Sequence, residues 1–267
     1  MRVCGGEKRD PVKPGSAFTV TLGQEEGMSE ESYRFPPYEE KVREAMKPFN
    51  ARQLDFYRGK DIRVFQHLKG KNMESSKWIY EAPKLEKISF AIHNFKDMLM
   101  SYGVLIWPDD AHALPTFSSY WAESAKGCYF IIDFYPPVDC IVDPAYMNHY
   151  LKPLEGLYEK GVELFPEQLG RSPDWFRALI SPYCLSADFA PVTKKTQEAI
   201  MELTLGYLAI YIDLWKRDEP RDAEYMQSLI KRRNAIKTTF IENDPGAKMM
   251  EVAVGEEMAE LSMKISF

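Results

Sequence analysis

The chain is poor in the residues that carry metal and thiol chemistry. Of its 267 residues, four are cysteine and four histidine. Cys4, Cys128, Cys140 and Cys184 include no CxxC pair, so neither a zinc site nor an iron–sulfur cluster is implied, and they read as thiols of a reducing compartment. His67, His93, His112 and His149 form no HxxxH or HExxH, which argues against a metal-dependent mechanism. The phosphate-cradling GxGxxG and GxxxxGK[ST] loops are missing, as is the GxSxG elbow of serine hydrolases. Positive charge is in short supply too. Lysine and arginine number 34 against 40 aspartates and glutamates, a formal net charge of −6. That is the wrong sign for a protein that displaces counterions from nucleic-acid phosphates. The longest apolar stretches, near 98–107 and 129–134, are strand-length, far short of the roughly 20 residues of a membrane-spanning helix. Hydrophobic residues make up 45% of the chain and aromatics 13%. This suffices for a large core, and with no clean break in the pattern one globular domain is expected.

Three apolar runs, V-L-I-W-P, L-P-T-F-S-S-Y-W and Y-F-I-I-D-F-Y-P-P, lie between Val104 and Pro137, each ended by proline or a short polar turn. This is the pattern of a β-meander. Alternation assigns the faces, because every second side chain of a strand points the same way. Ile88, Phe90 and Ile92 share one face with Met98, Met100, Tyr102, Val104 and Ile106. The other carries Ser89, Ala91 and His93 with Leu99, Ser101, Gly103, Leu105 and Trp107. The first face is apolar throughout. The second mixes small, polar and large side chains, as the lining of a ligand pocket does.

Further β-like runs are expected at about 60–68, 76–81 and 86–94, giving a mainly antiparallel sheet of about six strands. The Gly/Pro-punctuated, acidic residues 1–32 are expected to be a disordered tail, with a single domain over 33–267; Glu7, Asp10, Glu25 and Glu26 spoil the picture of a transit peptide. Residues 38–49 look helical. After Asp143-Pro144 the period becomes helical, with Tyr146, Tyr150, Leu154, Leu157, Tyr158 and Val162 at three- and four-residue spacing. A short helix is expected between Pro173 and Pro182. A long one, capped by Thr193, follows with an apolar stripe from Ile200 to Trp215. Another is expected to start at Asp218-Glu219-Pro220 and run to Phe240, and a last one from Asn243-Asp244-Pro245-Gly246 toward Gly255. Strands first and helices second predict an α+β fold, a three-layer α/β/α sandwich with helices on both faces of the sheet.

The order of these landmarks resembles the ferredoxin-dependent bilin reductases and their relative, red chlorophyll catabolite reductase. The residues that carry the likeness to the first are Trp107-Pro108, Leu114-Pro115-Thr116-Phe117, Asp133-Phe134-Tyr135-Pro136, Tyr146 with Tyr150, Ile180-Ser181-Pro182-Tyr183 and Glu242-Asn243-Asp244-Pro245. Those that echo the second are Trp78-Ile79, Asp133 with Asp139, Asp143-Pro144-Ala145-Tyr146, and Ser172-Pro173 through Arg177 to Ser181-Pro182. The resemblance spans about residues 60–267. It implies an open-chain tetrapyrrole held between the sheet and the C-terminal helices. Electrons would come singly from reduced ferredoxin, with no bound flavin or metal, in a plastid stroma or a cyanobacterial-type cytoplasm.

The resemblance also nominates residues. Asp244 matches the family's acidic residue on the C-terminal side of the pocket, although Asn243-Asp244-Pro245 is equally the pattern of a helix N-cap. On the strand after Leu114-Pro115, where these reductases generally place Asp, Asn or Glu, stands Tyr120. Ala91 and Gly103 occupy the positions of a Glu and a His used by some relatives, and Phe240 stands where several have arginine. Asp244, Tyr120 and His93 are therefore the candidates for proton delivery, with Glu123 expected on the opposite face. Asn243, Ser118, Gly103, Ala91, Arg177, Phe240 and Lys237 are the candidates for contact with the pigment. Its propionates would call for the arginines and lysines among Arg177, Lys231, Arg232, Arg233 and Lys237, and the run 231–233 would offer a basic patch for ferredoxin. Two functions stay open: reduction of biliverdin, a dihydrobiliverdin or a chlorophyll catabolite, and non-catalytic carriage of a bilin by a scaffold that has lost its sheet-side acids.

Overall fold

The meander predicted from alternation forms the centre of the molecule. The computed structural model describes residues 38–96, 98–166 and 172–267, except the side chain of Phe189; the tail expected over 1–32 lies outside them. Five long strands follow one another and pair antiparallel with their neighbours: β5 (Met73–Ala82), β6 (Leu85–Phe95), β7 (Leu99–Pro108), β8 (Thr116–Ser124) and β9 (Gly127–Tyr135). Three short strands extend them. β1 (Arg52–Gln53) and β4 (Leu68–Gly70) share the outer edge of β5, and β10 (Leu185–Ala190) closes the edge of β9. The sheet thus has eight strands where six were expected. β2 (Phe56–Tyr57) and β3 (Lys60–Asp61) form a separate hairpin.

The expected strand over 60–68 is a correction. Only its ends are extended, because Arg63–His67 closes a 3-10 turn that buries Phe65. β10 was not anticipated, and neither was a helix after Gly255.

Helices lie on both faces, as an α+β sandwich requires. α1 (Tyr38–Met46) and α5 (Lys194–Arg217) bury Tyr38, Val42, Ile200, Leu203, Tyr207, Leu208 and Tyr211 against Phe90, Val104, Ile106, Phe117, Trp121, Phe130 and Phe134. This is the apolar face of the meander. Each large side chain there contributes on the order of 1.5–3 kcal/mol by leaving water. Asp143 caps α2 (Pro144–Tyr146) by accepting from the Tyr146 N–H at 2.9 Å. The chain then passes through a wide turn and a tight turn at Pro153 into α3 (Glu155–Leu164). Thr193 caps α5 as expected, accepting from the Thr196 N–H at 3.1 Å.

The opposite face is covered by α4 (Asp174–Arg177) and by three consecutive helices, α6 (Ala223–Asn243), α7 (Pro245–Val254) and α8 (Glu256–Ser266). α6 does not start at Asp218-Pro220. Asp218 instead ends α5, and Asp222 is the cap, accepting from the Tyr225 N–H at 2.8 Å. Two glycines fix where the C-terminal helices lie. At Gly70 an added Cβ would stand 2.4 Å from the Ala253 carbonyl oxygen, and the next N–H, of Lys71, donates to that same carbonyl at 2.8 Å. No side chain fits in this seam between β4 and α7. Gly255, at φ +87°, ends α7 and begins α8 in a conformation other residues rarely adopt.

Candidate functional site: a trough between the sheet and the C-terminal helices

Strand register arranges the second face of the sheet into rows. One row reads Lys77, Ala91, Gly103, Tyr120 and Ile131 across β5 to β9; the next reads Ser75, His93, Ser101, Ala122 and Tyr129. In the first row two long polar side chains flank the two smallest residues. Neighbouring strands lie about 4.8 Å apart, so Lys77 and Tyr120 bound a gap about 14 Å wide floored by Ala91 and Gly103. Tyr120 leans over the floor: a Cβ on Gly103 would sit 3.6 Å from its Cδ2.

Two apolar clusters pack the helices on either side of this gap. On one side Ile79 packs with Met250 of α7 and Ile265 of α8. On the other, Trp107, Ile131 and Tyr135 pack with Phe176, Ile236, Phe240, Met263 and Phe267. Ala91 and Tyr120 belong to neither cluster, and with His93 and Gly103 they line the gap. They keep some exposure, whereas Phe90, Val104, Phe117 and Phe130 on the reverse side have none. His93, Tyr120 and Asp244 are ringed by protein atoms yet reach solvent. Depth together with access defines a cleft.

Asp244 stands on the helical wall at the joint of α6 and α7. Its N–H donates to the Phe240 carbonyl at 2.9 Å, and its Oδ1 caps α7 by accepting from the Gly246 N–H at 2.8 Å. Burial raises its proton affinity above that of an ordinary carboxylate, while the Gly246 N–H and the charge of Lys77 act in the other direction. Tyr120 hydrogen-bonds Ser101 and is pushed up to about 12 by burial, so it stays a phenol at neutral pH. His93 shares a 2.7 Å hydrogen bond between its Nδ1 and Ser75 Oγ. Burial, aided by Lys77, pulls it down to about 3, so it is a neutral imidazole rather than a charged acid. Among these three, Asp244 is the acid whose proton affinity burial raises from the ordinary carboxylate range, the direction a general acid requires.

The other candidates separate by position. Ala91 and Gly103 form the floor. Ser118 is on the same face but buried, accepting from Tyr135 OH at 3.1 Å. Asn243 is exposed and donates to the Thr239 carbonyl at 2.9 Å. Phe240 is drawn into packing, stacked on Phe267 with centroids 4.8 Å apart and rings 7° from parallel. Arg177 is exposed on α4. Lys237 pairs with Glu86 and lies 4.9 Å over the Trp107 ring.

The expected basic patch at 231–233 is a correction, since Arg233 is buried and donates to the carbonyls of Asp109, His112 and Leu114. It ties α6 to the β7–β8 connection. Glu123 lies on the opposite face as expected, accepting from Gln197 at 2.9 Å. Asp133, quoted above for its motif, is fully buried and holds the loop before β10 by accepting from the Ser181 N–H and hydroxyl.

Sequence reasoning missed Lys77 and Tyr129, and it placed Ser101 on the trough face without nominating it. Lys77 is 5% exposed, and its place on the trough face was available from alternation with Trp78. A hollow of about 610 Å³ also opens on the reverse side, lined by Tyr38, Arg43, Ile92 and Tyr102. Of the charges that line it, Arg43 pairs with Glu39 and Lys47 with Glu44. Among the described residues no three His, Cys, Asp or Glu side chains cluster as a metal site, and no helix is long and apolar enough to cross a membrane.

An eight-stranded antiparallel sheet with helices on both faces is an α+β sandwich. The chain belongs to the ferredoxin-dependent bilin reductase family, whose sequence profile matches residues 53–264. Among solved structures it is similar to the crystal structure of selenomethionine phytochromobilin synthase from tomato in complex with biliverdin. The TM-score is 0.72 at 17% identity, covering 85% of this chain and 81% of that one. No protein of curated function matches by sequence.

Proposed function

We propose that the protein reduces an open-chain tetrapyrrole, biliverdin or a dihydrobiliverdin, taking electrons singly from reduced ferredoxin, and that Asp244 delivers the proton. The observation that carries this reading is the trough, a flat floor of Ala91 and Gly103 beside a deep carboxyl. Reducing one double bond adds two electrons and two protons. The first electron makes the pigment basic. The Asp244 O–H bond then breaks, a bond to hydrogen forms on the pigment, and the carboxylate left behind is recharged from water before the second electron and proton follow. Tyr120, held as a phenol, offers a hydrogen bond rather than a transferable proton. No flavin or metal is required, because ferredoxin supplies each electron.

A second reading, a bilin carrier, is favoured by the same floor, for Tyr120, Ala91 and Gly103 leave the sheet side of the trough without a carboxylate. A red chlorophyll catabolite is the alternative pigment. One experiment separates these. The protein is mixed anaerobically with biliverdin or with a red chlorophyll catabolite, its absorption is recorded, and reduced ferredoxin is added. A radical intermediate followed by a reduced product supports the enzyme, and the pigment consumed identifies the substrate. A spectral shift without product supports the carrier, and no shift with either pigment sinks both readings.

A further inference from the structure

The outer edge of β5 carries charge of the sign this chain is short of. In a protein of formal net charge −6, residues 52–71 expose six cations, Arg52, Arg58, Lys60, Arg63, Lys69 and Lys71, against the two acids Asp55 and Asp61. Acids on this edge are answered one by one: Asp61 by Arg63, Glu81 by Arg52, Glu86 by Arg58 and Lys237, and Glu74 by Lys69 at 4.0 Å and Lys96 at 3.8 Å. Among the described residues no carboxylate lies within ion-pair distance of Lys60 or Lys71.

Apolar side chains stand among these charges. The turn of the β2–β3 hairpin is tight, with Arg58 at φ 47° and Gly59 at φ 75°, the left-handed pair that a type I′ turn needs. Beside it Phe56 is 58% exposed, with the Arg63 guanidinium 5.5 Å over its ring, and Val64 is 49% exposed. Arg52 and Lys69 pair with Glu81 and Glu74 of β5, seven residues apart, so at about 3.3 Å per residue the surface is about 23 Å long. That is the scale of the small interfaces of weak redox encounters, up to about 600 Å² a side.

The surface reaches the trough through α8. Tyr57 of the hairpin shares a buried cluster with Ile265, and Lys87, 4.9 Å over the Tyr57 ring, donates to the Ile265 carbonyl at 3.1 Å. On the same turns Ser262 Oγ and Ser266 Oγ accept from Lys77 Nζ at 2.7 and 2.6 Å, and Lys77 ends the row that floors the trough.

We propose that this edge, with Phe56 and Val64 flanked by Arg58, Lys60, Arg63, Lys69 and Lys71, is the surface on which reduced ferredoxin docks. The inference rests on the reading of the protein as a ferredoxin-dependent reductase, and it replaces the surface at 231–233, where Arg233 is buried. Ferredoxins of this kind are acidic one-electron carriers, so opposite charges steer the encounter and contact covers the apolar centre. Each visit oxidises one ferredoxin and reduces the pigment by one electron, after which the spent partner leaves. Exposed charges suit such a contact, because they speed association and are screened by salt.

The test measures binding of a plant-type two-iron ferredoxin to the full chain, without pigment, over a range of salt concentrations. The double variant Lys60→Glu, Lys71→Glu, which breaks no ion pair, should bind at least about tenfold more weakly at low ionic strength, with the difference shrinking as salt is added. Its melting temperature and its affinity for biliverdin should match wild type. Phe56→Ser should weaken ferredoxin by the same factor at every salt concentration, and Lys231→Glu, an exposed reversal on α6, should bind as wild type does. In turnover the double variant should raise the KM for ferredoxin far more than it lowers kcat. Equal affinity of the double variant and wild type, or a larger loss in Lys231→Glu, overturns the proposal, as does wild-type protein that binds no ferredoxin. If the double reversal abolishes ferredoxin binding while wild-type protein reduces no pigment, the proposed activity fails and the docking surface stands.

Discussion

Replacing Asp244 by asparagine and by alanine separates its two duties. As the cap of α7 it accepts from the Gly246 N–H at 2.8 Å. Asparagine caps nearly as well as aspartate, whereas alanine at such a site costs about 0.5–2 kcal/mol. In a domain of this size 1 kcal/mol moves the melting temperature by about 2–4 °C. Asp244→Asn should therefore melt within about 2 °C of wild type, and Asp244→Ala several degrees lower. As the proton donor the carboxyl should matter equally in both variants, since neither replacement carries an acid. A positioned general acid contributes typically 10²–10⁴-fold, about 3–5 kcal/mol of barrier, so both should lose that factor in anaerobic reduction of biliverdin by reduced ferredoxin. Burial also sets the sign of the pH dependence. The folded chain binds the Asp244 proton more tightly than the unfolded chain, so stability is greatest below the ordinary carboxylate range and falls as pH rises through the elevated folded value. Asp244→Asn should remove that fall. Turnover by Asp244→Asn within threefold of wild type would refute the donor role.

The floor of the trough offers a test of binding alone: Gly103→Leu should leave the melting temperature nearly unchanged and weaken biliverdin at least tenfold in an absorbance titration. Unchanged affinity would place the pigment elsewhere. Gly70→Ala puts a Cβ 2.4 Å from the Ala253 carbonyl oxygen, so it should cost about 1–3 kcal/mol and speed amide exchange across 245–254, and slow exchange there would contradict the seam. His93, held down to about 3 by burial and Lys77, refuses a proton that the unfolded chain takes up. Its contribution to stability is complete above about pH 6.5 and is lost as pH falls toward 3. Urea unfolding at pH 7 and pH 4.5 should therefore show a smaller acid loss in His93→Gln than in wild type, and equal losses would remove His93 from the account.

Strand parity was legible because one face is apolar from Ile88 to Ile92 on β6 and from Met100 to Ile106 on β7. The placement of Ala91, His93 and Gly103 on the open face, and of Glu123 on the other, follows from counting by twos from Ile88 and Tyr120. Helix capping was legible at Asp143, Thr193 and Asp244, where side-chain oxygen and proline patterns are local. Asp218 misled because Asp218-Glu219-Pro220 copies a cap, whereas its carboxylate is engaged by Tyr150 OH and the helix waits for Asp222. β10 was missed because Leu185–Ala190 is short and pairs only with β9, across fifty residues of chain. The apparent alternation of Ile62 and Val64 is the turn of a 3-10 helix, a period that four or five residues cannot distinguish from a strand. Arg233 and Lys77 were beyond local reading. A cation in sequence reads as a surface group, and only the tertiary structure brings the carbonyls of 109–114 to one and the hydroxyls of α8 to the other.

The buried cations bear on the proposed reaction through the helical wall that they fix. A proton donor has to be held to a fraction of an ångström, and helices docked by apolar contacts alone can slide. Here the three helices that form the wall are each fixed by a directional contact. Arg233 binds α6 to three carbonyls of the β7–β8 connection. The Gly70 seam binds α7 to β4 through the Lys71 N–H. Lys77, Lys87 and the Trp107 Nε1–H bind the C-terminal turn of α8, where unpaired carbonyls concentrate negative potential. Asp244 lies at the joint of the first two helices. With Tyr120, Ala91 and Gly103 on the sheet side of the trough, the proposed reaction draws its proton from the helical wall alone, so its precision rests on these anchors.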